Sequence, residues 1–255
     1  MMKSLTALVL LAAVALPAAG QDAIRCTLLV DAATGKVLVR EGQCEQRVTP
    51  ASTFKVALSL MGYDSGILAD EHRPQWPFRE GYADWLPEWR SSTGPAAWMK
   101  HSVVWYSQQL TTRLGAQRFQ SYLDRFDYGN RDASGGLTRA WLGSSLKISG
   151  DEQAVFLRKL VNRTLPVSGK AVGMTASLMR YPSLRNGWSL YAKTGTGAEP
   201  GSPPHGWLVG WASRGGRTVV FARLVQDAQR EPGGRAGLRV RDAFIKELPA
   251  LLEKL

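Results

Sequence analysis

The sequence predicts an α/β (α+β) protein: an antiparallel sheet flanked by N- and C-terminal helices, with an all-helical subdomain inserted into the chain. Three observations support this prediction. Short β-rich runs lie near both ends of the chain, helical periodicity fills its middle, and its 255 residues, 44% of them hydrophobic, suffice for a full core. The predicted sheet subdomain covers about 21–50 and 183–255 and the helical subdomain about 51–182.

Residues 1–20 have the composition of a secretory signal peptide. Lys3 gives a positive start, an apolar run follows over 5–16, and small residues at 18–20 permit cleavage before Gln21. An uncleaved N-terminal anchor is the alternative. No later run reaches the roughly 20 apolar residues of a transmembrane helix. We therefore expect an exported protein without a membrane anchor after cleavage, and one domain over residues 21–255.

Export makes the two cysteines, Cys26 and Cys44, a candidate disulfide pair. Between them lie two predicted strands, Thr27–Asp31 and Lys36–Arg40, joined by a turn that ends in Gly35. A hairpin returns the chain to its start, so a disulfide can close it in an oxidising compartment. Two buried free thiols are the alternative. The two cysteines and three scattered histidines show no zinc-ligand spacing, so we predict no metal.

The remaining elements follow from periodicity and turn residues. Helical patterns cover six segments: Ser52–Gly62, Pro95–Leu114, Gln117–Phe126, Asp151–Leu165, Val167–Arg180 and Arg235–Leu255. β-rich runs cover three more: Trp188–Lys193, Trp207–Ala212 and Thr218–Val225. Arg214-Gly215-Gly216 is the predicted hairpin turn between the last two strands. The Pro- and Trp-rich stretch Arg73–Gly94 is predicted to be irregular.

The formal net charge is +11, which raises the question of nucleic acid binding. The basic residues are spread along the chain among acidic ones, and no basic run or nucleic-acid motif occurs. We therefore predict no nucleic acid partner and a solvated basic surface. Such a surface favours the approach of small anionic substrates. The oligomeric state is not predicted.

Ser52 and Lys55 form the most informative pair in the chain. At i and i+3 on one helix, their side chains share a face, so the serine hydroxyl has a base beside it. Serine needs such a base to become a nucleophile, and the free N–H groups of a helix start can hold an oxyanion. The pair predicts an acyl-transfer site. A capping serine followed by an exposed lysine is the alternative.

Three further motifs follow in order: Ser102-Val103-Val104, Tyr128-Gly129-Asn130 and Lys193-Thr194-Gly195. A strand that ends in Lys-Thr-Gly can bind a carboxylate, because the glycine lets a substrate lie against the strand while lysine and threonine supply charge and hydrogen bonds. An ordinary strand exit is the alternative for this motif, and a buried serine between helices is the alternative for Ser102.

In these motifs the chain resembles the oxacillinase-type class D serine β-lactamases of the penicillin-recognising enzyme superfamily. The resemblance covers essentially all of the mature chain. Its motifs are Pro50-Ala51-Ser52-Thr53-Phe54-Lys55, Ser102-Val103-Val104, Tyr128-Gly129-Asn130, Trp141 with Leu146-Lys147-Ile148-Ser149, Lys193-Thr194-Gly195-Thr196 and Gly206-Trp207-Leu208-Val209-Gly210-Trp211. It implies a β-lactamase/transpeptidase-like fold and a single catalytic domain secreted to the bacterial periplasm.

The resemblance implies an activity and a mechanism. By this resemblance, penicillins would be hydrolysed through an acyl-enzyme on Ser52, which would give β-lactam resistance. Lys55, carboxylated by carbon dioxide, would be the general base, and no other cofactor is implied. Burial beside Val104 and Trp141 would keep its amine neutral for that reaction. Trp141 would donate its indole N–H to the carbamate, with a plain core tryptophan as the alternative.

The resemblance also assigns proton transfer and substrate binding. Ser102 would relay a proton to the leaving nitrogen, with Lys193 as its cationic partner. The backbone N–H groups of Ser52 and Thr196 would form the oxyanion hole. The substrate carboxylate would be bound at Thr194-Gly195-Thr196 and by Arg241, with Arg239 as the rival. A D,D-transpeptidase and the β-lactam sensor domain of a membrane receptor are the alternative functions.

Overall fold

The computed structural model describes residues 23–227 and 235–254, so the predicted signal peptide at 1–20 lies outside the described residues. Six strands form one antiparallel sheet in the order β2-β1-β6-β5-β4-β3. Their bounds are β1 Arg25–Asp31, β2 Val37–Gly42, β3 Arg180–Tyr181, β4 Ser189–Gly197, β5 His205–Arg214 and β6 Arg217–Gln226. The prediction of an antiparallel sheet with flanking helices is confirmed.

Seven helices are described: α1 Lys55–Asp64, α2 Pro95–His101, α3 Val104–Leu114, α4 Ala116–Phe126, α5 Gly150–Val161, α6 Gly169–Leu178 and α7 Ala236–Glu253. Two short 3₁₀ turns, Ala51–Phe54 and Pro87–Trp89, complete the list. None of the helices in this part of the chain is long and apolar enough to cross a membrane.

The sheet is covered on both faces, which explains why β5 is almost entirely buried. On one face α7 places Val240, Phe244 and Leu248 in a core cluster with Leu208 and Phe221. On the other face the sheet shares a larger core with the helical part of the chain. In this arrangement the 3₁₀ turn Ala51–Phe54, which precedes α1, lies beside the end of β4.

Local sequence accounts for several element ends. The β5–β6 hairpin turns through Gly215 and Gly216, whose φ angles of 57° and 79° require glycine in a two-residue turn. Helix α5 begins with a capping box in which the Ser149 side chain accepts from the Glu152 N–H and the Glu152 carboxylate accepts from the Ser149 N–H. The hairpin turn predicted at Arg214-Gly215-Gly216 is therefore present between β5 and β6.

The helical prediction needs two corrections. The single helix predicted over Pro95–Leu114 is broken, because Ser102 adopts a left-handed conformation with φ 56° and ends α2. The predicted helix Val167–Arg180 ends at Leu178, and Arg180 then enters β3, a two-residue strand paired with β4. The pairing with β4 therefore overrides the local helical pattern at Arg180.

A disulfide joins Cys26 in β1 to Cys44, two residues after β2. It packs against the start of α5, where a Cβ on Gly150 would lie 2.6 Å from the Cys26 sulfur. The Cys44 carbonyl also accepts a hydrogen bond from the Asp151 N–H at 3.0 Å. The predicted bridge is therefore present, and it ties the edge hairpin to a helix on the face of the sheet.

Candidate active site

Ser52 lies in the 3₁₀ turn that leads into α1, and Lys55 is the first residue of that helix. Lys55 Nζ lies 3.3 Å from Ser52 Oγ, within hydrogen-bond reach. The serine is partly exposed whereas the lysine is fully buried. The turn is braced by Thr53, whose hydroxyl donates to the Pro50 carbonyl at 2.7 Å and accepts from Gln153 at 3.0 Å. The predicted nucleophile and base are therefore brought together.

Burial determines the charge of Lys55. Loss of hydration lowers the pKa of its amine well below the usual value, and the charge of Lys193 lowers that pKa further. No carboxylate in the described part of the chain raises this pKa. The geometry therefore favours a neutral amine next to the serine, the form that can accept a proton.

Trp141 is fully buried beside the turn that carries Ser52. Its ring centroid lies 5.4 Å from that of Phe54, and its carbonyl accepts from the Ala51 N–H at 3.0 Å. Its indole Nε1, however, has no hydrogen-bond partner among the described residues. A buried donor without a partner is rare in folded proteins, which makes this N–H available to an anion in the site.

Ser102 and Lys193 form a second pair. Lys193 Nζ donates to Ser102 Oγ at 2.6 Å and to the Thr194 carbonyl at 3.0 Å. Burial lowers the pKa of Lys193 to about 7, and the nearby charge of Arg241 contributes. The break between α2 and α3, immediately before Val104, presents the serine to β4. The lysine can therefore exchange its proton near neutral pH.

The end of β4 lies directly against the 3₁₀ turn that carries Ser52. A Cβ on Gly195 would lie 2.9 Å from the Pro50 carbonyl oxygen, so a larger residue would push strand and turn apart. Thr196 is fixed from the other side, because its hydroxyl accepts from the Gly237 N–H at 2.9 Å at the start of α7. The Thr194-Gly195-Thr196 segment is thus held between the turn and α7.

The structure separates the two rival arginines. Arg241 lies close enough to Lys193 to lower its pKa, and its guanidinium donates to the Asp242 carboxylate at 2.8 Å. Arg239 instead forms an ion pair with Asp227 at 3.6 Å. Arg241 therefore lies near Lys193, and its role in substrate binding stays a prediction.

Two further features belong to the site: the Tyr128-Gly129-Asn130 turn, which the sequence predicts to be a wall rather than part of the chemistry, and Glu199, which sequence reasoning missed. Tyr128 packs its ring against Phe54 with 5.2 Å between centroids, so the Tyr-Gly-Asn turn forms a wall behind the nucleophile. Glu199 links segments that are distant in the sequence, as it contacts Thr49 and Lys147. No local sequence pattern indicates an ion pair between two loops, so the sequence could not have identified the role of Glu199.

Comparisons with known proteins agree with this geometry. A family model described as the penicillin binding protein transpeptidase domain matches residues 25–250. The chain is 42% identical to β-lactamase OXA-9 of Klebsiella pneumoniae over 250 residues, which cover 91% of this chain and 89% of that protein. It is 40% identical to β-lactamase OXA-1 of Escherichia coli over 206 residues, covering 77% of this chain and 74% of that protein.

A solved structure gives the same result at the level of the fold. The crystal structure of the class D β-lactamase OXA-427 superposes with a TM-score of 0.85 and 47% sequence identity, covering 90% of this chain and 99% of that one. The resemblance seen in the sequence motifs is therefore confirmed. The chain belongs to the class D, oxacillinase-type β-lactamases of the penicillin-binding transpeptidase domain family.

Proposed function

We propose that this enzyme hydrolyses β-lactams, penicillins foremost, through an acyl-enzyme on Ser52, and that it thereby confers β-lactam resistance. The observation that carries the proposal is the partly exposed Ser52 hydroxyl 3.3 Å from the buried Lys55 amine. A serine with a neutral base at this distance can attack a strained amide carbonyl. The names of the related β-lactamases support the same substrate class.

In the proposed acylation step, Ser52 Oγ attacks the β-lactam carbonyl and loses its proton toward Lys55. The backbone N–H groups of Ser52 and Thr196 hold the developing oxyanion. Ser102 gives its proton to the leaving ring nitrogen and is reprotonated by Lys193, which donates to it at 2.6 Å. A lysine with a pKa of about 7 suits this transfer, because a proton donor works best when its pKa is near the working pH.

We further propose that Lys55 carries carbon dioxide as a carbamate. Two observations fit such a group: a buried amine with a strongly lowered pKa, and the partnerless indole N–H of Trp141. When bound, carbon dioxide supplies an anionic base that can activate both serine and water. Trp141 would hold this anion, and the packing of Phe54 against the indole would keep the N–H in place.

Binding of the substrate carboxylate is assigned to the end of β4 and to α7. Lys193 supplies charge, Thr194 and Thr196 supply hydroxyls, and Gly195 leaves room along the strand. Arg241 completes the set. We also propose secretion to the periplasm, because residues 1–20 have the composition of a signal peptide.

Turnover with a chromogenic cephalosporin and a penicillin tests the proposal. Wild type is expected to turn over both continuously, whereas a transpeptidase or a β-lactam sensor would give one burst and stop. Ser52→Ala is expected to abolish hydrolysis and to keep its fold, because one oxygen is lost from a partly exposed position. Mass spectrometry should show a penicilloyl adduct on wild type alone. An adduct on another residue, or hydrolysis by Ser52→Ala, would contradict the assignment.

A further inference from the structure

Glu199 lies in the connection between β4 and β5, yet its side chain is only 11% exposed. One carboxylate oxygen accepts from Lys147 Nζ at 2.6 Å, and the other accepts from the Thr49 N–H at 2.7 Å. A mostly buried carboxylate with a partner on each oxygen is fixed in its orientation. Glu199 therefore joins three segments that are far apart in the sequence.

Both backbone polar groups of Thr49, its N–H and its C=O, are hydrogen-bonded to residues at this end of the sheet. Its N–H donates to Glu199, and its carbonyl accepts from His205 Nε2 at 2.8 Å and Trp207 Nε1 at 3.2 Å. Because a carbonyl can only accept, His205 must carry its proton on Nε2. Burial lowers the pKa of His205, which keeps its ring neutral. The chain just before Ser52 is thus bound to β5 and to the β4–β5 connection.

Lys147 is fixed independently of Glu199. Its N–H donates to the Asn130 side-chain oxygen and its carbonyl accepts from the Asn130 N–H, each at 2.9 Å. Near the other end of the same segment, a Cβ on Gly143 would lie 2.4 Å from the Ala198 carbonyl oxygen. The segment 141–147, which starts at Trp141, therefore supports the β4–β5 connection at two points.

We propose that Glu199 is a positioning residue that sets the separation between the two oxyanion-hole donors. Ser52 is the third residue after Thr49, and Thr196 is the third residue before Glu199. The hydrogen bond from Thr49 to Glu199 therefore links the two donor N–H groups through only a few residues of backbone on each side. An oxyanion hole works because its donors are held in place before the reaction begins. The inference rests on the proposed acyl-transfer function.

Three variants test this role. Glu199→Ala removes both contacts, Glu199→Gln keeps an oxygen for the Thr49 N–H but loses the charge, and Lys147→Met removes the partner lysine. Glu45→Ala is the matched control, since Glu45 also forms an ion pair with a basic residue, here Arg40, but its side chain is 58% exposed. Each variant is measured for its penicillin acylation rate constant and for its affinity toward a boronic acid. The boronic acid forms a tetrahedral adduct on Ser52 that places an oxygen in the hole.

In Glu199→Ala both measurements are expected to fall together by about 10- to 100-fold, the cost of misplacing reacting groups by roughly an ångström. Glu199→Gln should lose less than Glu199→Ala, and Glu45→Ala should match wild type. Lys147 is 39% exposed, so water can solvate its amine when the partner is gone. The melting temperature of Glu199→Ala should therefore stay close to that of wild type, although its acylation rate and its boronic acid affinity fall.

A purely structural role predicts the reverse pattern. If Glu199→Ala lowers the melting temperature while acylation and boronic acid affinity stay within about twofold of wild type, the inference is wrong. Should Glu199→Ala fail to fold, unchanged values for both Glu199→Gln and Lys147→Met would overturn it. If wild type is acylated but does not turn over, only the hydrolase proposal is contradicted. The acylation rate constant and the boronic acid affinity do not require turnover, so they still test the role of Glu199.

Discussion

Lys55 and Lys193 are two buried amines in one site, and the charge of Lys193 lowers the pKa of Lys55. A buried ammonium is costly, so a protein that places two of them together must keep at least one neutral. The motifs of the sequence identified both lysines. Their burial, which makes the chemistry possible, depends on the whole fold and cannot be read from local sequence.

Trp141→Phe tests the proposed carbamate at the scale of one hydrogen bond. The change keeps an aromatic ring beside Phe54 but removes the indole donor, at a cost of about 1–3 kcal/mol to a buried anion. The bicarbonate concentration for half-maximal activity should therefore rise about tenfold or more. Steady-state rates in bicarbonate-depleted buffer with added bicarbonate measure it.

Trp188→Phe is the matched control, because Trp188 is another buried tryptophan whose Nε1 lacks a hydrogen-bond partner among the described residues. Trp188 belongs instead to the core cluster that packs against α7. Its bicarbonate dependence should equal that of wild type. The carbamate proposal is wrong if wild-type activity does not depend on bicarbonate from mildly acidic to neutral pH and carbon-13 NMR shows no carbamate signal. Lys55 would then act as an unmodified amine.

Lys193 should make stability depend on pH. Its pKa falls from 10.5 to about 7 on folding, so between those values the unfolded chain binds a proton that the folded chain does not. Stability should therefore rise with pH across this window, by up to about 1.4 kcal/mol per pH unit. Below pH 7 the destabilisation is complete. Urea unfolding of wild type and Lys193→Met from pH 7 to 9.5 measures the difference, and parallel curves would contradict it.

At the scale of elements, the break between α2 and α3 is one feature that the sequence did not predict. Helical residues extend from 95 to 114 without a proline or glycine after Pro95, so local propensity indicates one helix. Tertiary contacts decide otherwise, because Ser102 is held by Lys193 from β4. By contrast, the Gly215-Gly216 hairpin and the Ser52–Lys55 spacing are local patterns, and both were predicted.

Two substitutions of Ser102 should separate its backbone from its hydroxyl. Ser102→Ala and Ser102→Gly both remove the hydroxyl, so each should lose most acylation activity. Glycine adopts the left-handed conformation at no cost, whereas alanine does not, so Ser102→Gly should be more stable by about 1 kcal/mol. Thermal unfolding compares the two. Equal stability would show that the left-handed backbone at Ser102 carries no strain.

For the whole molecule, we expect the disulfide to stabilise the β2 edge of the sheet. The Cys26–Cys44 bridge spans 18 positions, and closing a loop of that size stabilises a protein by roughly 3 kcal/mol. The double variant Cys26→Ser/Cys44→Ser should unfold at lower urea with nearly wild-type kinetics at 25 °C. Intact mass with and without reductant reports the bridge. An unchanged unfolding midpoint would mean that the helices alone hold this edge.

The position of β1 between β2 and β6 sets the order in which the protein can be completed during synthesis. Arg25 pairs with Val225, near the other end of the chain. At about 5–20 residues per second, β6 leaves the ribosome on the order of ten seconds or more after β1. Until then β1 has only β2 of the sheet beside it, and Ser52 is likewise made long before Lys193 in β4. A nascent chain therefore holds no assembled catalytic centre, and a message cut short before β4 yields no partial enzyme.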